Sequence, residues 1–118
     1  MGYLTEYKIR VFRKNGEELA TTNNLVASKI ANAINRISGY EFYTLGETGL
    51  LAGYDQYKWY DYETDMLEVS REFPNLAFCV AGSGEEQGDV WRHMFHNGKG
   101  LKKRAELVIP EIKLHELG

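Results

Sequence analysis

The sequence has little of what would place it in a specialised class of proteins. Its single cysteine, Cys79, cannot form a disulfide within the chain, so we expect a reducing, cytoplasmic setting. No apolar run approaches the roughly 20 residues that span a bilayer, and the first residues lack the apolar core of a signal peptide. Repeats and low-complexity tracts are also missing. With 118 residues, 43% hydrophobic and 26% charged, the chain is expected to form one domain, residues 1–118.

Basic residues are scarce in the middle of the chain. Residues 40–89 contain eleven Asp or Glu against only Lys58 and Arg71, a balance of −9, whereas residues 1–39 and 90–118 each have a balance of +3. Phosphate backbones attract Lys and Arg, so the acidic middle argues against direct nucleic-acid binding. If these acids share one face, they favour a basic protein as partner.

Hydrophobic spacing predicts two helices among several strands. One helix is expected over about residues 25–38, where apolar residues recur at helical spacing before Gly39. A second begins at Asp61, as its N-cap, and ends before Pro74. The strand candidates are residues 3–13, 40–46, 49–60, 76–81, 90–97 and 101–109, the last two joined by an Asn97-Gly98 hairpin. This order predicts an α+β fold, with two helices on one face of a mostly antiparallel sheet and the ferredoxin-like sandwich as the leading architecture.

A glycine-rich turn that carries acids, "GSGEEQGD" at residues 82–89, follows the apolar strand candidate. It lacks the Gly-Lys-Ser/Thr of a phosphate-binding loop, and Glu85, Glu86 and Asp89 would repel phosphate. Its spacing does not supply the alternating oxygen ligands of an EF-hand. Three interpretations stay open: a structural turn with solvated charges, a partner-binding loop, or a metal site of another kind.

No constellation typical of an enzyme is present in the sequence. Ser83 lies between glycines but not within Gly-x-Ser-x-Gly, and no His/Asp pair is placed by spacing to activate it. His93 and His96 point to opposite faces of a strand, which makes zinc binding with Cys79 a poor prospect. We therefore expect no catalysis, no cofactor and no metal, and we interpret Cys79 as a small core residue.

Aromatic residues are concentrated in "YDQYKWYDY", residues 54–62. If the segment is a strand, half of its rings face away from the core, and Tyr and Trp are frequent hot spots of protein interfaces. Base stacking on these rings would need a positive groove, which the acidic surroundings do not offer. The alternative is that most rings pack between sheet and helices. The candidate partner-binding residues are Asp55, Tyr57, Trp59, Asp61, Glu63, Asp65, Glu85, Glu86, Asp89 and Trp91.

The second half of the chain carries a recognisable series of features. A Trp ends a strand, an amphipathic helix follows, and Phe-Pro precedes a strand with a Phe; an acid-and-glycine turn, an aromatic strand and an Asn-Gly hairpin complete the series. The matching positions are Trp59, Met66, Phe73, Pro74, Phe78, Glu85, Gly88, Asp89, Trp91, Phe95, Gly98 and Lys99. Over about residues 58–100 the chain thus resembles the YubB-type ferredoxin-like domain of small phage and plasmid proteins. It departs from that pattern in lacking prolines after Trp59 and in its heavier acidity. The resemblance implies a fold and a mobile-element setting, with no catalytic residues to carry over.

By analogy with small acidic phage proteins that inhibit host defence, anti-CRISPR proteins among them, we expect a non-enzymatic protein-binding module. Its partner would be a basic host protein, such as a nucleic-acid-handling nuclease, that docks on the acidic and aromatic residues. The alternative is a nucleic-acid-binding regulator that uses the basic first strand with Lys102, Lys103 and Arg104; strand alternation puts Lys102 and Arg104 on one face. Exposed edge strands also allow a homodimer.

Overall fold

The computed structural model describes residues 3–19, 25–45, 50–106 and 113–117, and it has an α+β architecture. The elements in chain order are β1 (Thr5–Arg13), α1 (Leu25–Ser38), β2 (Phe42–Leu45), β3 (Leu50–Gly53), α2 (Tyr62–Glu72), β4 (Leu76–Gly84), β5 (Val90–His96), β6 (Lys99–Arg104) and a short 3-10 turn (Leu114–Leu117). Both helices begin and end within a residue or two of the positions that the sequence predicts. Residues 107–109 of the last predicted strand lie outside the described residues.

All six strands form one antiparallel sheet in the order β2-β3-β1-β4-β5-β6. Along the chain, β1-α1-β2 and β3-α2-β4 form two split β-α-β units. Their four strands lie in the sheet in the order β2-β3-β1-β4, which is consistent with a ferredoxin-like arrangement. Strands β5 and β6 extend the sheet beyond β4 as a hairpin. Its turn has positive φ at Asn97 (44°) and Gly98 (79°), as an Asn-Gly turn between twisted strands requires.

The core lies between the sheet and the two helices. Along β1, the odd-numbered residues from Thr5 to Val11 are buried, and the sheet contributes fully buried side chains such as Ile9, Phe78 and Phe95. Helix α1 contributes Ile30 and Ile34, and α2 contributes Met66 and Val69, all in one continuous cluster with the sheet residues. Each such side chain stabilises the fold by roughly 1.5–3 kcal/mol through burial. Two helices therefore cover one face of the sheet, as the sequence predicts.

The other face of the sheet carries the alternate residues, and among the described residues no element covers it. The side chains of Lys8, Arg10, Arg92 and Met94 are exposed there. Cys79 belongs to this face too, since it pairs with Arg10 and Met94, and it is only half-buried. The interpretation of Cys79 as a core residue was therefore wrong, because β4 presents Phe78 and Val80 to the helices and Cys79 to the opposite side. We call this surface the open face.

The aromatic segment 54–62 is not a continuous strand. Strand β3 ends at Gly53, and the chain turns away over Asp55 and Gln56. It returns to β1 at a single point, where Thr5 and Tyr57 exchange two backbone hydrogen bonds of 3.0 and 2.9 Å. The Tyr57 hydroxyl accepts a hydrogen bond from Tyr54 N and donates one to the Glu41 carbonyl, so that it closes the turn.

Candidate functional site

Most of the candidate residues meet at one end of the molecule, around a recess of about 170 Å³ between the start of α2 and the turn from β4 to β5. We call it the end recess. It is lined by Tyr3, Thr5, Tyr7, Trp59, Tyr60, Tyr62, Asp89, Trp91, Lys102 and Arg104. Six aromatic rings therefore surround a space that also receives one carboxylate and two cationic side chains. Of these rings, Tyr60 is 67% exposed and offers the most accessible surface.

Tyr3 connects the two acidic segments of the sequence. Its backbone N–H donates to the Tyr60 hydroxyl (3.0 Å), and its own hydroxyl donates to Asp89 Oδ2 (2.7 Å) and accepts from Glu86 N (2.9 Å). The next residue, Leu4, donates its N–H to Glu85 Oε1 at 3.0 Å. The start of the chain thus holds the α2 entry and the 85–89 turn at the same end of the molecule.

The rings in the walls of the recess pack on one another. Tyr62 and Trp91 stack with centroids 4.7 Å apart, and Tyr7 meets Trp59 and Trp91 edge-on at 5.3 and 6.0 Å. The Tyr7 hydroxyl donates to the Trp59 carbonyl at 3.2 Å. Aromatic pairs in these geometries each contribute about 0.5–1.5 kcal/mol beyond the area they bury.

The charges of the end recess are partly balanced within it. Arg104 Nη1 lies 3.1 Å from Asp89 Oδ1, and the Lys102 ammonium lies over the rings of Trp91 (4.7 Å) and Tyr62 (5.4 Å). Lys102 and Arg104 do share a face, as strand alternation predicts. That face belongs to the end recess, however, and both cations already have partners there.

Two glycines of the acidic turn segment belong to β4 and allow neighbouring side chains to approach the backbone of this strand closely. A Cβ at Gly82 would overlap the Trp91 ring, and one at Gly84 would overlap the Asp89 carboxylate and the Tyr3 hydroxyl. Gly84 N also donates to the Asp89 carbonyl at 2.8 Å, so the turn itself spans residues 85–89. Of the three interpretations, a structural turn accounts for these two glycines without any ligand.

The two candidate tryptophans lie inside the protein. Trp59 is 2% and Trp91 6% exposed, so they form the floor of the end recess and offer a partner little surface. Asp65 accepts a hydrogen bond from Trp59 Nε1 at 2.7 Å and thereby satisfies that buried donor. Asp61 stands at the N-cap position of α2 as expected, but its side chain makes no capping hydrogen bond. It therefore remains available at the surface beside the exposed Glu63.

Two candidate residues lie apart from the end recess. Asp55 borders a different cavity, of about 390 Å³, on the open face. Tyr57 packs between Tyr40 and Phe42 at centroid distances of 4.5 and 5.7 Å, and its hydroxyl is used in the turn after β3. The sequence segment 54–65 thus contributes to two surfaces rather than one.

Burial sets the ionisation of the polar side chains behind the recess. The Tyr62 hydroxyl lies 3.2 Å from His93 Nδ1, and burial raises the pKa of Tyr62 and lowers the pKa of His93. Both groups are therefore neutral at neutral pH and can share one hydrogen bond. Within residues 3–19, 25–45, 50–106 and 113–117, no group of three His, Cys, Asp or Glu side chains is placed to hold a metal ion.

Sequence reasoning did not find Tyr3, Tyr60 and Lys102 as parts of this site. Tyr60 was within the aromatic segment, but nothing distinguished it from its neighbours. Tyr3 contacts residues 57 and 86 positions away, a relationship that follows only from the strand order. Lys102 was noted for its charge, and its place over Trp91 could have been suggested only by the pairing of β5 with β6.

No protein-family model matches the chain, and neither a curated protein nor a solved structure has significant similarity to it. The resemblance to the YubB-type domain therefore stays a prediction. Among the described residues, no helix has the length and apolar character needed to cross a membrane.

Proposed function

We propose that the protein is a ferredoxin-like, non-enzymatic binding module of phage or plasmid type that docks a basic host protein at its end recess. The single observation that supports this most directly is the convergence of both acidic segments at Tyr3. Around the recess, the side chains of Asp61, Glu63, Glu85 and Glu86 are exposed. A partner would therefore meet carboxylates surrounding the exposed ring of Tyr60.

This composition suits a basic, nucleic-acid-handling protein. Such proteins present Lys and Arg in grooves that receive phosphates, and carboxylates can occupy the same positions. Tyr60 adds an aromatic surface of the kind that is enriched at interface hot spots. A defence nuclease whose DNA channel is blocked in this way, as by anti-CRISPR proteins, is the partner class we propose. The organisation of the recess favours binding over catalysis, because its hydrogen-bonding groups are engaged with one another.

The alternative that Lys102 and Arg104 contact nucleic acid is not favoured by their surroundings. Arg104 is paired with Asp89, and Lys102 lies over two rings of the recess. Releasing either cation toward a phosphate would first break these contacts. Of the three cations in that prediction, only Lys103 points elsewhere, and it belongs to the open face.

The test is a pull-down from the native host with matched baits, quantified by mass spectrometry. The docking variant is Asp61→Lys with Glu86→Lys, two exposed carboxylates on either side of the recess, of which Asp61 does not cap its helix. The control variant, Glu17→Lys with Glu68→Lys, makes the same change in net charge at exposed positions away from the recess. We expect a basic nucleic-acid-handling protein on the wild-type and control baits and its loss from the docking variant.

The interaction must then be reproduced with the purified partner at two ionic strengths. Because exposed charges are screened over about 8 Å at physiological salt, the affinity should fall as salt rises. Equal recovery of the same partner by the docking variant, or a salt-independent affinity, would refute docking at this site.

A further inference from the structure

The open face of the sheet is basic, although the protein carries a net charge of −3. Five cationic side chains belong to it by strand alternation: Lys8, Arg10, Arg92, Lys99 and Lys103. Three carboxylates accompany them: Glu6 lies 3.6 Å from Lys8, Glu18 pairs with Arg10, and Asp55 borders a cavity on this face. Arg92 and Lys103 have no ion pair within the described part of the chain. Charge that is spread over three segments of the sequence is thus gathered on one surface.

Strand register places three of these cations in a straight row. Lys8 on β1 pairs with Ala81 on β4, which pairs with Arg92 on β5, which in turn pairs with Lys103 on β6. With neighbouring strands about 4.8 Å apart, the row extends across roughly 14 Å. The small side chain of Ala81 leaves the surface between Lys8 and Arg92 low. A chain of phosphates that crossed the strands would therefore meet a cation at several successive positions.

Apolar and aromatic side chains border this row. In the adjacent row, Met94 and Leu101 are paired and are 41% and 65% exposed. At the other end of the row, Tyr43 and Tyr54 lie with centroids 4.5 Å apart, and Tyr54 is 68% exposed. Exposed rings beside cations are the combination on which unpaired bases stack while their phosphates are neutralised.

The cavity beside Tyr54 has the chemistry of a base site rather than a phosphate site. Its volume is about 390 Å³, and it is lined by both tyrosines, Lys8, Glu6 and Asp55 among others. The two carboxylates would repel a phosphate, but carboxylates accept hydrogen bonds from exocyclic amino groups of bases. A base that entered here would leave its phosphate toward Lys8 and the rest of the row.

From this juxtaposition we propose that the open face binds single-stranded nucleic acid, with phosphates along Lys8, Arg92 and Lys103 and a base on Tyr54. A duplex keeps its bases stacked on one another and cannot use the tyrosines. None of the four residues proposed to bind the strand, Lys8, Arg92, Lys103 and Tyr54, lines the end recess. It also changes the expectation drawn from the acidic middle of the chain, because the basic segments on either side of it form a surface of their own.

The experiment is fluorescence anisotropy with labelled single strands of about 10 nucleotides, as DNA and as RNA, over a series of salt concentrations. Three phosphate contacts give a slope of about −2 for the logarithm of the association constant against the logarithm of salt concentration. Arg92→Ala with Lys103→Ala should weaken binding about tenfold or more and make the slope shallower by about 1.4. The matched control, Lys14→Ala with Lys29→Ala, should leave the affinity and the salt slope unchanged. The charge-conserving pair, Arg92→Lys with Lys103→Arg, should bind like the wild type.

Tyr54→Ala separates base stacking from charge. We expect an affinity loss of roughly 5- to 150-fold with an unchanged salt slope, because stacking on an aromatic ring involves no counterion release. Preference for RNA or for DNA would identify the natural strand, and either supports the site. The proposal is overturned if no single strand binds at low salt, or if the Arg92→Ala, Lys103→Ala variant binds like the wild type. It is also overturned if heparin or duplex binds as tightly as the single strand and Tyr54→Ala has no effect. Asp61→Lys with Glu86→Lys should still bind the oligonucleotide, which keeps this result separate from that of the proposed function.

Discussion

Replacement of Gly82 by alanine tests the packing that supports the end recess. Gly82 is paired with Trp91 on the neighbouring strand, and the indole lies over its backbone. An alanine Cβ would lie 2.8 Å from Trp91 Cη2 and closer still to two other carbons of the ring. Ordinary van der Waals contact begins at 3.4 Å, so the ring must move by at least about 0.6 Å, and by more at those carbons. The indole cannot do so alone, because it is stacked on Tyr62 and covered by Lys102.

We expect Gly82→Ala to lower the free energy of unfolding by about 1–3 kcal/mol, the usual cost of overpacking a core. At roughly 4 °C per kcal/mol for a domain of this size, the melting temperature should fall by about 4–12 °C. Urea unfolding followed by tryptophan fluorescence measures the stability, and the native emission reports on the environment of Trp59 and Trp91 together. The native emission spectrum should change, since the ring moves within the recess.

Gly16→Ala is the matched control for this prediction. Gly16 has φ of +88°, and no side chain of the described residues lies within 4 Å of the position that an alanine methyl group would take. Alanine there therefore costs only backbone strain, of about 1–2 kcal/mol. Its native emission should equal that of the wild type.

A second check is Trp91→Phe, whose smaller ring leaves room for the alanine. The two substitutions together should cost less than the sum of their separate effects, by about 0.5 kcal/mol or more. Wild-type stability and emission in Gly82→Ala would refute the close approach of Trp91 to β4.

Two further predictions concern the polar groups behind the recess. Asp65→Ala should lower the free energy of unfolding by about 1–3 kcal/mol because it leaves the buried Trp59 N–H without its acceptor, whereas Asp61→Ala, which breaks no side-chain cap, should cost clearly less in the same urea titration. Burial lowers the pKa of His93 in the folded state. As the pH falls below the ordinary value of 6.5, the unfolded state therefore binds more protons than the folded state, and the free energy of unfolding should decline. His93→Gln, which can still form a hydrogen bond with Tyr62, should flatten this decline between about pH 7 and 5. If the variant loses stability as steeply as the wild type, the decline arises from other titratable groups.

The helices and most strands could be predicted from the sequence because their signals are local. Helical spacing and the stops at Gly39 and Pro74 define α1 and α2, and Asn97-Gly98 defines the β5–β6 turn. The segment after β3 could not be predicted in the same way. Its alternating aromatics resemble a strand, but the chain leaves the sheet after Gly53 and returns to it only where Tyr57 pairs with Thr5, a residue far earlier in the chain.

The candidate site depended still more on long-range information. The sequence identified Asp89, Glu85 and Glu86, and these do contact the same neighbour, Tyr3, or the residue after it. It did not show that Trp91 is buried, since the exposure of a strand residue depends on which face the helices cover. Nor did it explain Gly82, whose role depends on its register with Trp91 across two strands.

The separation of charge along the chain becomes a separation in space because of the strand order. The acidic middle supplies α2 and the 85–89 turn, whereas the basic segments supply β1, β5 and β6. In the sheet only β4 stands between β1 and β5, and its open-face residues next to the cations are small, as at Ala81. Five of their cations, Lys8, Arg10, Arg92, Lys99 and Lys103, therefore form one surface, while α2 covers the opposite face. A single net charge of −3 describes neither surface, and each must be tested with charge variants of its own.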